Sequence, residues 1–425
     1  MNSFKSVVAL SSLLIISQAG ADQTRSLAEI KKLEEQSTVV TQLLNGGDVS
    51  AYWSGHIARH MRTALVPRRQ ATRALEMRPD PTLGKITAVS RLGDISLDEF
   101  LADPRSGARG FIVIHRGKIV YERYPGMRPD DSLLWASCAK TMTSLLIDLL
   151  VDEGKIDLQR PVEAYLPDFR GTAWEGIRVL DVLDMTPGLD TEENDETRRN
   201  PDSLAIRLFL ADLGTPNRRT GQIETVRDVL KSAKKVRDPG TSFDYGSPVT
   251  QALVLLTEEV AQQRWADMLD DRVWSKLYVD GPIQVHLAPD GTAAPYGLVS
   301  SRLRDMARYA MLYTPSWNKV ATERIVTPSI VQRVRDGVRS HEFFMNGYDG
   351  PVFSERLNET VVSNSRQWDA VFADGDFFKS GFMGQGTYVS PDRDLVIAFF
   401  STNRDAGSIQ RYLRPIAKRF QPVKK

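Results

Sequence analysis

The chain has 425 residues, 55 Lys and Arg against 54 Asp and Glu, with 41% hydrophobic and 26% charged residues. That is the balance of a globular protein long enough for one large domain or two. A formal charge of +1 without runs of like charge argues against a nucleic-acid partner or a polybasic membrane patch. A single cysteine, Cys138, excludes an internal disulfide and a Cys-built zinc or iron–sulfur site.

A basic start ending at Lys5, an apolar run from Val7 to Ile16 and the small residues Ala19-Gly20-Ala21 have the form of a secretory signal cut after Ala21. The run is too short to anchor the chain in a bilayer, so the expectation is a bacterial protein exported to the periplasm or secreted. Residues 26 to 44 open with the capping-box pattern Ser26-Leu-Ala-Glu29 and carry Ile30, Leu33, Val40 and Leu44, which predicts an amphipathic helix ended by Asn45-Gly46-Gly47. The following Arg- and Pro-rich stretch, to about residue 95, lacks periodicity and reads as an extended arm over the main domain. Its His56 and His60 are four apart, but the Glu of a zinc hydrolase is missing, and both read as surface histidines.

Two β-rich runs around Arg116-Gly117-Lys118 predict a hairpin over Phe111 to Tyr124. Met142, Leu145, Leu146, Ile147, Leu149, Leu150 and Val151 then crowd nearly every face of one helix closing at Gly154, which places that helix in the core. Helical and loop segments fill about 155 to 295. Leu303, Met306, Ala307, Ala310 and Met311 mark one buried face of a helix over 302–313, stopped by Pro315. Strands are expected at Gly386 to Ser390 and Leu395 to Ser401, and a last helix near 407–419. Strands at both ends and helices between them predict a mixed α+β fold, an antiparallel sheet flanked by helices. In outline, residues 1–21 are the signal peptide and 22–95 the N-terminal helix and arm. Residues 96–425 form the main domain, its sheet from about 96–135 and 296–425 and an inserted helical subdomain from about 136–295.

Three Ser-x-x-Lys spacings occur: Ser137 with Lys140, Ser232 with Lys235, and Ser316 with Lys319. The last two lie in polar or turn segments; only Ser137 opens the central apolar helix. There it has the free backbone N–H groups and positive dipole end of a helix start beside it, and a lysine three residues on shares its face. Burial disfavours the ammonium and readies the lysine to act as a base. On spacing alone, an N-cap serine with a snorkelling lysine fits equally well. Cys138 points away from Lys140 and reads as a small core residue. Two later segments add to the pattern: the turn Phe243-Asp-Tyr245-Gly-Ser247-Pro248 leading into an apolar helix from Ala252 to Val260, and Lys379-Ser380-Gly381 opening a Gly-rich strand through Phe382. A cation, a hydroxyl and a glycine on a strand edge can hold a substrate carboxylate while backbone N–H groups face its carbonyl.

Ser137-Cys-Ala-Lys140, Tyr245-Gly-Ser247 and Lys379-Ser-Gly381 resemble, in order, the three boxes of serine β-lactamases and penicillin-binding proteins. Linking stretches match as well, among them Asp152 to Asp157, Tyr165-Leu-Pro167, Leu183 to Leu189, Gly297-Leu-Val-Ser300 and Arg304 to Arg308, so the resemblance covers about residues 96 to 415. Within that superfamily the chain is similar to the class C β-lactamase-like hydrolases, and especially to the 6-aminohexanoate-dimer hydrolase group. The resemblance implies a β-lactamase/transpeptidase-like fold and a serine hydrolase acting on small amides or esters through an acyl-enzyme on Ser137. Lys140 and Tyr245, as general base and acid, would together remove the Ser137 proton, Tyr245 would return one to the leaving group, and Ser247 would support Lys140 by a hydrogen bond. The backbone N–H groups of Ser137 and Phe382 would form the oxyanion hole, and Lys379, Ser380 and Gly381 would bind a substrate that carries a carboxylate. No metal or organic cofactor is implied. The sequence departs from the pattern where Ser247 stands in place of the Asn of class C β-lactamases. It departs again in the acidic loop Glu192 to Glu196, which lacks the tyrosine found in nylon-oligomer hydrolases and reads either as an attractor for a substrate ammonium or as a solvated loop. The alternatives are a D-Ala-D-Ala peptidase or β-lactamase among enzymes, and a sensor or binding protein that is acylated without turnover.

Overall fold

The computed structural model describes residues 25–36, 46–403 and 407–422. The signal sequence read over residues 1–21 lies outside them, as does the second half of the helix expected to run to residue 44. The first half of that helix is α1 (Leu27–Gln36), with Ser26 and Glu29 exchanging the two hydrogen bonds of a capping box. The arm that follows is not simply extended. Gly47–His56 forms a helix, α2, with Tyr52 and Trp53 buried, and Arg62–Val66 is a strand. The apolar residues of α2 are few, so its burial comes from contacts with the main domain and leaves little periodic signal. His56 stacks on Tyr52, and its Nδ1 lies 2.7 Å from the Tyr52 carbonyl.

The main sheet has eight strands. In chain order they are β1 (Glu76–Met77), β2 (Ala108–His115), β3 (Lys118–Arg123), β4 (Ser363–Ser365), β5 (Trp368–Val371), β6 (Phe377–Gly381), β7 (Gln385–Ser390) and β8 (Leu395–Ser401). Their spatial order is β4-β5-β6-β7-β8-β2-β3-β1, antiparallel except for the short β1, which runs parallel to β3. The two ends of the chain therefore meet at the β8–β2 seam, from Leu395 opposite His115 to Ser401 opposite Ala108. The hairpin forms where expected: Arg116 and Gly117 both take positive φ, 50° and 69°, as a two-residue turn between right-twisting strands requires. A smaller sheet joins Arg62–Val66, Ile283–Leu287, Val299–Ser301 and Leu133–Leu134 in that order. The strand at Ile283–Leu287 lies in the span expected to be helical.

Helices cover the sheet and build the second layer. The central apolar helix is α3 (Lys140–Asp152), which packs against α4 (Ser247–Ala261), and both are buried along most of their length. The helix marked by its buried face, α5 (Leu303–Met311), lies on β8, β7 and β2. A helix of the same length, α6 (Asp349–Leu357), buries Phe353 and Leu357. The C-terminal helix is broken into Gly407–Gln410 and Leu413–Ala417.

A buried charge cluster fastens this last helix. Asp376, fully buried in the turn between β5 and β6, accepts hydrogen bonds from Tyr388, from Ser390 Oγ (2.5 Å), from Arg393 (3.0 Å) and from Arg414 (3.1 Å). Removing one partner of such a cluster strands the other charges away from water. Asp376→Ala is expected to cost about 3–5 kcal/mol of stability, read as a fall in the urea midpoint.

Candidate active site

Ser137 sits in a single helical turn, Ala136–Ala139, that runs straight into α3. The turn is fixed from behind by Trp135, which is fully buried. Its backbone N–H donates to the Val299 carbonyl (2.8 Å), and its indole N–H donates to Ser301 Oγ (2.8 Å). Ala136, the residue before the serine, is held at φ 46°, a conformation that costs a residue with a Cβ about 1–2 kcal/mol. Cys138 is buried in the core with its thiol pushed up to about 12 by burial, which makes it an inert neighbour.

Lys140 has no exposed surface. Its Nζ donates to the Tyr296 carbonyl (2.6 Å), to Ser247 Oγ (3.0 Å) and to Ser137 Oγ (3.3 Å). Burial away from water lowers its pKa to about 7. Tyr296 is itself tethered, its phenol donating to Asp212 (2.5 Å), a carboxyl that burial raises to about 8.

Tyr245 is brought to the same point by the turn before α4. Its backbone N–H donates to Asp349 (3.0 Å), its carbonyl accepts from Glu193 N–H (2.7 Å), and its ring lies among Phe243 and Phe353. Burial, followed by the Asp369 and Glu193 carboxylates, holds the pKa of the phenol well above the ordinary value. Gly246 must be glycine, since a Cβ there would fall 2.1 Å from the Thr191 carbonyl.

Ser247 begins α4 and accepts from Lys140, while its N–H donates to Glu193 Oε1 (2.5 Å). Glu193 was one residue of an acidic loop that admitted two readings, and it adopts neither wholly. Asp195 and Glu196 are exposed, but Glu193 turns inward onto the start of α4. Burial pushes its pKa up, yet Lys140 and Arg198 outweigh this and hold the carboxyl below the usual range. No sequence signal set Glu193 apart from its acidic neighbours; its place at the start of α4, where a carboxylate meets a free N–H, is made by a contact across 54 residues.

The third box arrives on β6. A Cβ on Gly381 would lie 2.8 Å from the Trp135 carbonyl and 3.1 Å from Ala136 Cβ, so this glycine lets the end of β6 close on the serine turn. Ser137, Tyr245, Ser380, Gly381 and Phe382 then line one cleft of about 670 Å³. Trp53 of α2 and Phe353 of α6 form other parts of its wall.

Lys379 does not present a free cation at the mouth of this cleft, as the sequence led us to expect. It is fully buried and paired with Asp369, and its Nζ lies 3.4 Å from the Tyr245 hydroxyl. Ser380 also turns to Asp369, donating from Oγ (2.6 Å) and from its backbone N–H (2.8 Å). Asp369 escaped the sequence reading because it lies in no recognisable box. Continuing the register Val371↔Phe377 and Ala370↔Phe378 by one residue places it across from Lys379, a relation only the strand pairing reveals.

A family model, Beta-lactamase, matches residues 97–417. The chain belongs to the beta-lactamase family. It is 28% identical over 345 residues to the 6-aminohexanoate-dimer hydrolase of Paenarthrobacter ureafaciens, covering 80% of this chain and 82% of that one. It is also 28% identical over 232 residues to esterase EstB of Burkholderia gladioli, 51% of this chain and 57% of the other. A solved Bacillus anthracis structure, provisionally named a 6-aminohexanoate-dimer hydrolase, superposes with a TM-score of 0.75 at 22% identity, covering 89% of this chain and 95% of that one. The mixed α/β architecture is therefore that of the family, and the protein is a hydrolase within it.

The lowered pKa of Lys140 fixes a sign for the pH dependence. Below pH 7 the amine carries the proton and cannot take another; above it the free base dominates. The acylation rate is expected to rise roughly tenfold per pH unit in acid and to level off above about pH 7. A profile flat between about pH 5 and 9 would remove Lys140 as the base.

Proposed function

We propose that the protein cleaves small esters or amides through an acyl-enzyme on Ser137. The observation that carries this reading is the fully buried Lys140, its Nζ 3.3 Å from the Ser137 hydroxyl. In the first step Ser137 Oγ attacks the carbonyl carbon and its proton passes to the neutral amine of Lys140. The oxyanion is met by the backbone N–H groups of Ser137 and Phe382, the first at a helix start and the second just beyond Gly381. Ser247 and the Tyr296 carbonyl keep Nζ aimed at the nucleophile.

Tyr245 takes the acid half of the cycle. Burial and two nearby carboxylates keep its proton on, so the phenol is poorly suited to share in deprotonating Ser137 and well suited to protonate the departing alkoxide or amine. It is then reprotonated from Lys140, and water repeats the sequence in reverse on the acyl-enzyme. The relatives support this substrate class, one being named for hydrolysis of a 6-aminohexanoate dimer and another as an esterase. If the signal sequence is cut as read, the reaction takes place in the periplasm or outside the cell.

Incubation with an activated acyl ester should place one acyl group on Ser137, located by peptide mass spectrometry. Ser137→Ala is expected to abolish both labelling and turnover, while Ser232→Ala and Ser316→Ala retain them. An acyl group on another serine would refute the assignment, and stoichiometric labelling without product release would make the protein a sensor. Tyr245→Phe should slow acylation by about 10² to 10⁴, the worth of a general acid, and most for substrates with poor leaving groups.

A further inference from the structure

The Lys-Ser-Gly strand has the donors to hold a carboxylate, and it already holds one. One Asp369 oxygen is paired with Lys379 Nζ. The other accepts from Ser380 Oγ at 2.6 Å and from Ser380 N–H at 2.8 Å. Asp369 is about as buried as a side chain can be, 1% exposed, and Lys379 is 0% exposed. Such an arrangement satisfies both charges inside the fold and leaves neither donor group waiting for a ligand.

We propose that Asp369 is a specificity-determining residue that occupies, from within the protein, the carboxylate subsite of the Lys379-Ser380 strand. The wild-type cleft accordingly gains nothing from a carboxylate placed next to the scissile bond. Ser380 stands two residues before Phe382, about 6–7 Å along the strand from the oxyanion donor, so the subsite it would form serves a carboxylate borne by the carbon next to the scissile nitrogen or oxygen. Acids further out, at the rim where Arg199 and Arg356 line the cleft, are a separate matter and are untouched by this argument. The class of substrate selected is one that is neutral beside the cleaved bond. Penicillins, cephalosporins and peptides ending in D-Ala all carry a carboxylate there and are disfavoured, whereas simple esters and internal amides are not. The same geometry makes the preference reversible. In Asp369→Asn the side chain keeps its shape, but the negative charge is gone, one of the two oxygens shared by Lys379 and Ser380 is replaced by an NH2 donor, and the Lys379 cation has no counter-ion.

This inference rests on the acyl-enzyme reading, and the test separates the two. Depsipeptide esters whose leaving group carries a free carboxylate on the carbon next to the scissile oxygen are compared with their methyl amides, as kcat/KM, in wild type and in Asp369→Asn. Because both substrates use the same catalytic groups, their ratio is insensitive to any general loss of activity in the variant. The expected ratio of acid to neutral is one or less in wild type and at least tenfold higher in Asp369→Asn. A wild-type preference for the acid of tenfold or more, or an unchanged ratio in the variant, overturns the proposal while leaving the acyl-enzyme intact. Absence of turnover and of labelling with either substrate would instead overturn the acyl-enzyme reading and this inference with it. Should Asp369→Asn fold poorly, wild type alone decides. An arylboronic acid and its carboxylated counterpart, matched in the position of the added group, should inhibit equally, and tenfold tighter binding of the carboxylated one would overturn the proposal.

Discussion

A lysine side chain buried completely inside the fold is the constraint on which this structure turns. Lys140 can be buried only because three oxygens, from Ser137, Ser247 and Tyr296, meet its Nζ, and each comes from a different part of the fold. The serine lies one turn away on the same helix, the second hydroxyl is at the head of α4, and the carbonyl belongs to the segment that leads into the small sheet. Packing α3 against α4 and tying Trp135 to Val299 are therefore the same event as assembling the site. The cost of desolvating an ammonium becomes a functional gain, since the group is left near its neutral point at physiological pH.

Around that lysine the charges alternate. Glu193 stands on one side of the catalytic groups and the Asp369–Lys379 pair on the other, with the Tyr245 ring facing both lysines at 5.4 and 4.5 Å. Each carboxylate is spoken for by a structural donor, Glu193 by the first N–H of α4 and Asp369 by Ser380. Lys140 and Arg198 also hold Glu193 below the usual carboxyl range, so it stays ionised beside the amine, the phenol and the hydroxyl. Asp349 and Asp212, lifted by burial, add negative charge only at higher pH.

What could be read from the sequence was whatever is local. The Ser137–Lys140 pair sits on one helical turn, the hairpin turn announces itself by Arg116-Gly117, and the apolar crowding of α3 marks it as core. The family boxes supplied Tyr245, Ser247 and Lys379 in the right order. What escaped were relations between strands and between loops. Asp369 is invisible until β5 and β6 are set in register, and Glu193 looks like one acid among several until the backbone turns it toward α4. Lys379 was assigned outward because a lysine on a strand edge is usually solvated, and its partner lay ten residues away in an unmarked segment. The helix at Gly47–His56 failed to register for a related reason: its buried face includes Ser50, Ser54, Tyr52 and Trp53, a mixture of hydroxyls and aromatics that a hydrophobic period does not detect.

That same helix changes where the working unit of the protein begins. The family match starts at residue 97, but Ser50, Trp53 and Ser54 face the cleft, and the Ser54 hydroxyl receives the Leu134 N–H at 3.3 Å, three residues ahead of Ser137. The arm continues into Arg62–Val66, which forms the outer strand of the small sheet and pairs with Ile283–Leu287. The family match thus draws its boundary through the middle of an enclosure, although similarity to the relatives continues upstream of it. Comparisons of cleft shape that start from residue 97 leave out one of the walls, and two relatives with identical boxes can differ in what they admit solely through residues upstream of that match.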